Sequence, residues 1–227
     1  MKAKTIVLSI LLMTGVNTHA QKRFTLNVGT SIPTSDFGKY VANGYYIHDY
    51  TYGYASIGLK AGFQYVQPIS TIGLGIYGSI DVMRNGLKKK FKDAYEENIN
   101  PETKIKHASY WNFPISVGLH YQKGTSDEKL AFYASAGIVA NILTISKYRS
   151  QTSSFTHEYT YSPSIHVGFK TELGMVFNDK LSVGITYYGL GDHSFDYTSS
   201  GSGSYTSYTY AHHKKISMIA LSLGLKI

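Results

Sequence analysis

Between Arg23 and Ile227 the chain alternates apolar with polar or small residues in eight separate stretches. Apolar side chains at every second position describe a β-strand with one greasy face, because successive side chains on a pleated strand point to opposite sides. The first four stretches present Phe24, Leu26 and Val28; Ile57, Leu59, Ala61, Phe63 and Tyr65; Ile72, Leu74, Ile76, Ile80 and Val82; then Trp111, Phe113, Ile115, Val117, Leu119 and Tyr121. The fifth, KLAFYASAGIVANILTI, is apolar or small on both faces. The sixth shows Ile165, Val167, Phe169, Leu173, Met175 and Phe177, and the seventh Leu181, Val183, Ile185 and Tyr187. The eighth, HHKKISMIALSLGLKI, carries large aliphatics at every second position from Ile219 to Ile227.

Alternation alone does not say which face is outside. The opposite faces carry Asn27, Lys60, Gln64, Asp81, His120, His166, Lys170, Glu172 and Lys226, and the connections decide how such strands are arranged. Those after strands two, four and six are short (Gln67–Ser70, Lys123–Glu128, Asn178–Asp179), while those after one, three, five and seven run from about fourteen to two dozen residues. Strict long–short alternation around an even number of strands is the pattern of an outer-membrane barrel. The expected fold is therefore all-β: an eight-stranded antiparallel up-and-down transmembrane β-barrel with short periplasmic turns and long extracellular loops. Each segment is long enough to cross, since a tilted strand needs roughly 9–11 residues. Tyr65, Tyr121 and Phe177 beside the turns, and Tyr110, Trp111, Tyr148 and Tyr187 toward the loops, fit the headgroup layers. Open strand edges in lipid are costly, so the last strand is expected to pair with the first.

Residues 1–20 stand apart from this pattern. Lys2 and Lys4 precede an apolar run from Ile6 to Val16, and Thr18-His19-Ala20 follows. That is a basic n-region, an h-region too short to span a bilayer and a small residue at the cut, so 1–20 reads as a cleaved signal peptide and 21–227 as the barrel domain. The mean hydropathy of −0.15 does not fit a helical membrane protein, and the absence of cysteine removes disulfides, thiolate metal sites and cysteine nucleophiles. A formal charge of +8 raises the question of nucleic acid, but the lysines do not gather on one stripe, and the best local run is Lys88-Lys89-Lys90. No nucleic-acid partner is expected.

SYWNFPISVGLHY (Ser109–Tyr121), with Pro114 inside an aromatic–aliphatic strand, resembles the PorT-like outer-membrane β-barrel family of Bacteroidetes, related in architecture to the OmpA/OmpX barrels. LSVGITYYGLGD (Leu181–Asp192) and ISMIALSLGLKI (Ile216–Ile227) are similar to its final hairpin. The resemblance spans residues 21–227 and implies architecture, outer-membrane location and handling by the outer-membrane assembly machinery. It implies no chemistry, since only some members are tied to protein secretion.

An eight-stranded barrel is only wide enough to be filled by its own side chains, so interior charges need partners. Lys60 and Asp81 sit at similar height on adjacent strands, and Glu172 has Lys170, His120 and Lys226 as candidate neighbours. These six form the expected interior polar network; a proton path is the alternative. Two loops rich in Tyr, Ser and Gly suit an adaptable binding surface, with Tyr45, Tyr46, Tyr50, Tyr52, Tyr205, Tyr208 and Tyr210 as contact candidates. Alternatively, the alternate spacing of Tyr159/Tyr161 and Tyr208/Tyr210 extends strands above the membrane. LKKKFKDAYEENINPE predicts a short amphipathic surface helix through Leu87, Phe91, Ala94, Tyr95 and Ile99, ended by Pro101. Its lysines face either solvent or lipopolysaccharide phosphates.

His48, His107, His157, His193, His212 and His213 fall in expected loops, and only the adjacent His212-His213 hints at metal; no metal or cofactor site is assigned. Asp192-His193-Ser194 has triad residue types, but three contiguous residues on an extended chain cannot form a triad among themselves. The expectation is a monomeric, non-enzymatic barrel with a structural or interaction role, contacting outer-membrane lipid, lipopolysaccharide and an envelope protein partner. A lipid-modifying barrel enzyme and a soluble exported ligand-binding barrel remain as alternatives.

Overall fold

A computed structural model describes residues 23–39, 53–97, 99–123, 129–201 and 208–227. Residues 1–20 therefore lie outside the described part. Eight long strands form the wall: β1 (Arg23–Pro33), β2 (Gly58–Pro68), β3 (Leu74–Asn85), β5 (Tyr110–Lys123), β6 (Leu130–Ile145), β9 (Ser164–Phe177), β10 (Leu181–Gly201) and β11 (Tyr208–Lys226). Three short strands, β4 (Lys104–Lys106), β7 (Tyr148–Gln151) and β8 (Thr156–Tyr161), lie beyond the wall at one end. Each wall strand pairs antiparallel with the next, and β11 pairs with both β10 and β1, so the sheet closes. Val28, for example, faces Ala61 on β2 and Leu223 on β11.

The alternation resolves into inside and outside. Leu59 (74% exposed), Val167 (66%) and Leu223 (63%) belong to an apolar belt around the exterior, with Ile80, Ile115, Ile138 and Leu173 also bare. Lys60, Asp81, Lys170 and Glu172 are buried within. Soluble monomers rarely expose continuous apolar surface on this scale. In hydrocarbon, that belt is the satisfied arrangement, since closure pairs every wall strand on both sides. β6, ambiguous in sequence, obeys the same rule. It turns Tyr133, Ser135, Val139 and Asn141 inward, while Phe132 and Ile138 face out among alanines.

Short connections gather at one end. The turn between β9 and β10 places Asn178 (φ 49°) and Asp179 (φ 52°) in the left-handed region, which Asn and Asp tolerate and which suits the strand twist. At the other end, α1 (Ser35–Gly38) lowers Phe37 into the barrel mouth. Phe37 meets Tyr110 edge-on at 5.0 Å, and Met83, Leu143, Leu190, Ile216 and Met218 complete an apolar plug. Tyr110 is thus interior rather than in the headgroup layer, because its hydroxyl donates to the Gly53 carbonyl at 2.8 Å. Tyr148 is likewise buried above the wall, whereas Trp111 and Tyr187 stay on the outside.

Two further expectations shift at this end. The connection after the seventh wall strand is mostly strand: β10 and β11 run on as a hairpin pairing Ser199 with Tyr208. A bulge at Gly189–Gly191 turns the extra residue, Leu190, into the plug. Gly191 adopts φ +89°, and a Cβ there would lie 1.9 Å from the His166 ring. The amphipathic helix is present as α2 (Lys89–Glu96), shorter than the expected span: Leu87 precedes it and packs on the plug, while Phe91 stacks on Tyr54 at 4.4 Å.

Candidate functional site

Four charged side chains occupy the middle of the barrel. Lys60 comes from β2, Asp81 from β3, and Lys170 and Glu172 from β9; two cations and two anions sum to zero. Lys60 Nζ lies 3.3 Å from Asp81 Oδ1 and donates to Asn27 Oδ1 at 2.7 Å. Lys170 Nζ lies 3.3 Å from Glu172 Oε2 and 3.7 Å from Asp81 Oδ2, and donates to Ser79 Oγ at 3.2 Å. Tyr188 and Tyr133 donate phenols to Asp81 Oδ2 (2.9 Å) and Glu172 Oε1 (2.8 Å). Lys170 also sits over the rings of Tyr77 (5.4 Å) and Tyr188 (5.6 Å). Asp81 Oδ1 and Glu172 Oε2 meet their ammonium groups by charge rather than by aligned hydrogen bonds. Such a layer tolerates burial only because every charge has an opposite neighbour.

The other two network candidates lie nearer the turn end. His120 Nδ1 is 2.9 Å from Ser135 Oγ, and its ring stacks on Tyr133 at 5.5 Å, reaching Glu172 only through that phenol. Lys226 is not beside Glu172. Its Nζ donates to Gln122 Oε1 (3.2 Å) and Asp179 Oδ1 (3.4 Å), and Arg23 donates to the same Gln122 oxygen. β11 is nearly finished at Lys226, so this cation meets the β9–β10 turn instead of the central layer. A cavity of about 30 Å³ separates the two levels, lined by Arg23, His120, Tyr133, Glu172 and Lys226 among others. That is room for water rather than for a substrate.

Towards the loop end, alternation splits Asp192-His193-Ser194. His193 is not in a loop; it points inward from β10 and is fully buried, with Nε2 3.0 Å from Asn141 Nδ2 and Nδ1 3.2 Å from Ser164 Oγ. Ser194 points out, and its Oγ lies 3.0 Å from His213 Nδ1 across the β10–β11 ladder. No group of three metal-ligating residues forms among the described residues.

Above the wall, β10 pairs with β8, β8 with β7 and β7 with β4, which adds an outer sheet at the loop end. The face continuous with the barrel interior is aromatic. Tyr148 donates to Tyr95 of α2 at 2.5 Å, Tyr148 packs on Tyr159 at 5.5 Å, and Tyr161 meets Phe195 at 6.1 Å. Burial pushes the Tyr161 hydroxyl up to about 12, and burial with the Tyr95 bond raises that of Tyr148 further. His157 is held below its ordinary value by burial, and the hydrogen bond from Lys147 (2.7 Å) lowers the Glu158 carboxyl. Of the contact tyrosines, Tyr45, Tyr46, Tyr50, Tyr52 and Tyr205 lie outside the described residues. Tyr208 and Tyr210 lie on β11, so their segment extends the strand, and their side chains are outside the description.

No family model matches the chain, and no curated protein matches it. Solved structures do. A major outer membrane protein from Thermus thermophilus aligns over 92% of this chain and 100% of its own, with TM-score 0.50 and 9% identity. OprG from Pseudomonas aeruginosa aligns over 92% and 97%, with TM-score 0.50 and 12% identity. The fold is that of an outer-membrane β-barrel. At such identities the likeness is one of architecture, and the contents of this barrel are its own.

What the residue pattern missed is mostly phenolic. Tyr77 falls on the polar face by alternation and Tyr133 and Tyr188 carry no charge to single them out, yet the hydroxyls of Tyr133 and Tyr188 and the rings of Tyr77 and Tyr188 complete the charged layer. Their inward parity with Ser79, Ser135 and Thr186 was the available signal. The Asn112–Asn141–His193–Ser164 chain had no local signature, because its members come from four strands.

Proposed function

We propose that residues 21–227 form a monomeric, non-enzymatic outer-membrane barrel that acts through its loop end, with the turns in the periplasm and residues 1–20 removed on export. The observation that carries this reading is the filled interior. Charged layer and apolar plug succeed one another between the two ends, so a transport route has no room, while the loop end is elaborated into an additional sheet. The sheet added at the loop end, beyond what closure of the wall needs, supports contact with an envelope protein partner. Lipopolysaccharide, the outer-membrane assembly machinery and an envelope protein are the expected partners.

Fractionation tests location: the protein should float with outer-membrane lipid and resist carbonate extraction, whereas recovery from periplasm or medium would favour a soluble ligand-binding barrel. Affinity purification from detergent-solubilised envelope, comparing the full chain with a variant whose β7–β8 hairpin is replaced by a short turn, tests the role. Loss of the same co-purifying protein in the variant is the expected result.

The Ser194–His213 contact favours a second reading, a lipid-modifying enzyme working at the headgroup layer. Serine and histidine at 3.0 Å make a nucleophile–base pair, which a third, orienting group would complete. Asp192 shares their outward face but pairs in register with Lys215. Purified protein incubated with phospholipid and lipopolysaccharide separates the readings. Acyl release abolished by Ser194→Ala and His213→Ala supports the enzyme, and no release supports the interaction protein. His193→Ala addresses packing instead, because that ring is buried.

A further inference from the structure

One sector of the exterior carries cations where its apolar belt ends. Arg84 lies outward near the loop-end tip of β3, between Leu59 on β2 and Trp111 on β5. Its guanidinium carbon sits 5.3 Å from the centroid of the Trp111 ring, and that ring stacks on Phe113 at 6.4 Å and 10°. Immediately above lies the outward face of the outer sheet. Register puts Lys106 opposite Arg149, with Lys104 opposite Gln151 two residues along the same face. Both cations of that first pair stand five residues from the wall at matching points: Lys106 precedes Trp111 by five, and Arg149 follows Thr144, the cross-strand partner of Trp111, by five. They share a height over the β5–β6 wall.

Among the described residues, Arg84, Lys104, Lys106 and Arg149 form no ion pair. Glu158 stands opposite Arg149 on β8 and feels its charge, but its carboxylate is bonded by Lys147 at 2.7 Å, so two cations share one acid there. The β10–β11 sector differs: Asp192 faces Lys215 and Ser194 faces His213, so its charge is mixed. A guanidinium at the hydrocarbon boundary with no carboxylate calls for an anion from outside the protein. The ligand must also be amphiphilic. The surface below Arg84 and Trp111 is Ile80, Ile115 and Val117, all exposed, and Phe113 lies between.

We propose that this sector binds the phosphate groups of an outer-leaflet lipid, with Arg84 at the acyl boundary and Lys104, Lys106 and Arg149 above it. The inference rests on the outer-membrane reading and adds a specific lipid site to it. The Trp111 ring beneath Arg84 steadies the guanidinium, whose forked N–H groups suit two parallel bonds to one phosphate, and the lysines supply compact charges to a second. The acyl chains then lie along Ile80, Ile115 and Val117.

The test uses the full-length mature chain folded in detergent, with diphosphoryl lipid A, the same lipid stripped of phosphate, and inorganic phosphate as probes. Native mass spectrometry counts retained lipid. Diphosphoryl lipid A should be retained and the phosphate-free form lost. Arg84→Gln, and separately Lys104→Gln/Lys106→Gln/Arg149→Gln, should weaken retention about tenfold or more, as expected for removed charge-assisted phosphate contacts. Lys123→Gln/Lys129→Gln, at the opposite end, should leave it unchanged. Equal retention of both lipids, undiminished retention in the sector variants, or displacement by equimolar inorganic phosphate would each overturn the site. Insertion of the wild type into liposomes is measured alongside. Its failure strikes the membrane reading, whereas insertion without phosphate discrimination strikes only this site.

Discussion

Tyr188 and Asp81 are joined across the barrel lumen: the phenol on β10 donates to the carboxylate on β3 at 2.9 Å, although β5, β6 and β9 separate those strands along the wall. Lys170 crosses in the same way to Ser79 and Asp81. The charged layer is therefore a set of cross-braces between opposite walls, not a lining.

Asp81 is the hub, since two lysines and a phenol converge on it. Asp81→Ala should lower stability by about 3–5 kcal/mol, the usual consequence of stranding buried charge. Glu172→Ala should cost less, because Lys170 keeps Asp81 and Ser79. Lys60→Met/Asp81→Leu should recover much of the loss. Thermal unfolding in detergent, followed by heat-modifiable gel mobility, gives all three values.

Orientation of the belt has its own test. Ile138 sits mid-strand on the outside, flanked by Val117 and Phe169. Ile138→Lys should destabilise the inserted barrel by roughly 2–4 kcal/mol, while Leu59→Lys, close to the loop-end rim, should cost about 0–1 kcal/mol. Denaturant titration in lipid vesicles measures both. Equal costs would contradict a lipid-facing belt.

A filled lumen should not conduct. In planar bilayers the wild type is expected to show no steady ion current. Truncating the rings that bracket Lys170, as Tyr77→Ala/Tyr188→Ala, should introduce current only if the apolar plug is also thinned, for example by Leu190→Ala. Large currents from the wild type would refute the packing.

The outer sheet should loosen in base. Tyr148 and Tyr161 have folded-state pKa values raised by burial. Each contributes stability that is fully present below about 10, the ordinary phenol value, and is lost as pH rises through the folded value, about 12 for Tyr161. Amide exchange in β7 and β8 should therefore accelerate between about pH 10 and 12 while β5 and β6 stay protected. Phenolate absorbance compared with Tyr161→Phe identifies the late-titrating group.

Wall strands and lipid-facing positions were readable from period-two alternation because a lipid belt imposes one simple rule on every outward residue. The interior obeys no such rule. Lys60 and Asp81 are legible as neighbours, being nearly opposite on adjacent strands, but the pattern does not place Lys226 beside Gln122 and Asp179, because height along a tilted barrel depends on stagger, which a linear pattern does not carry. His193 looked like a loop residue since the bulge at Leu190 interrupts the alternation just below it. The outer sheet was hidden for a further reason: β4 and β7 are three and four residues long, and their pairing joins segments more than forty residues apart.

The seam of the wall joins Thr25 to Lys226, so the first strand waits for a neighbour that lies about two hundred residues further along the chain. No half-made cylinder can bury its margins meanwhile. Assembly must hold both rims of an unfinished sheet apart from lipid and from other copies, and removing β11 should strand the protein short of insertion rather than yield a smaller barrel.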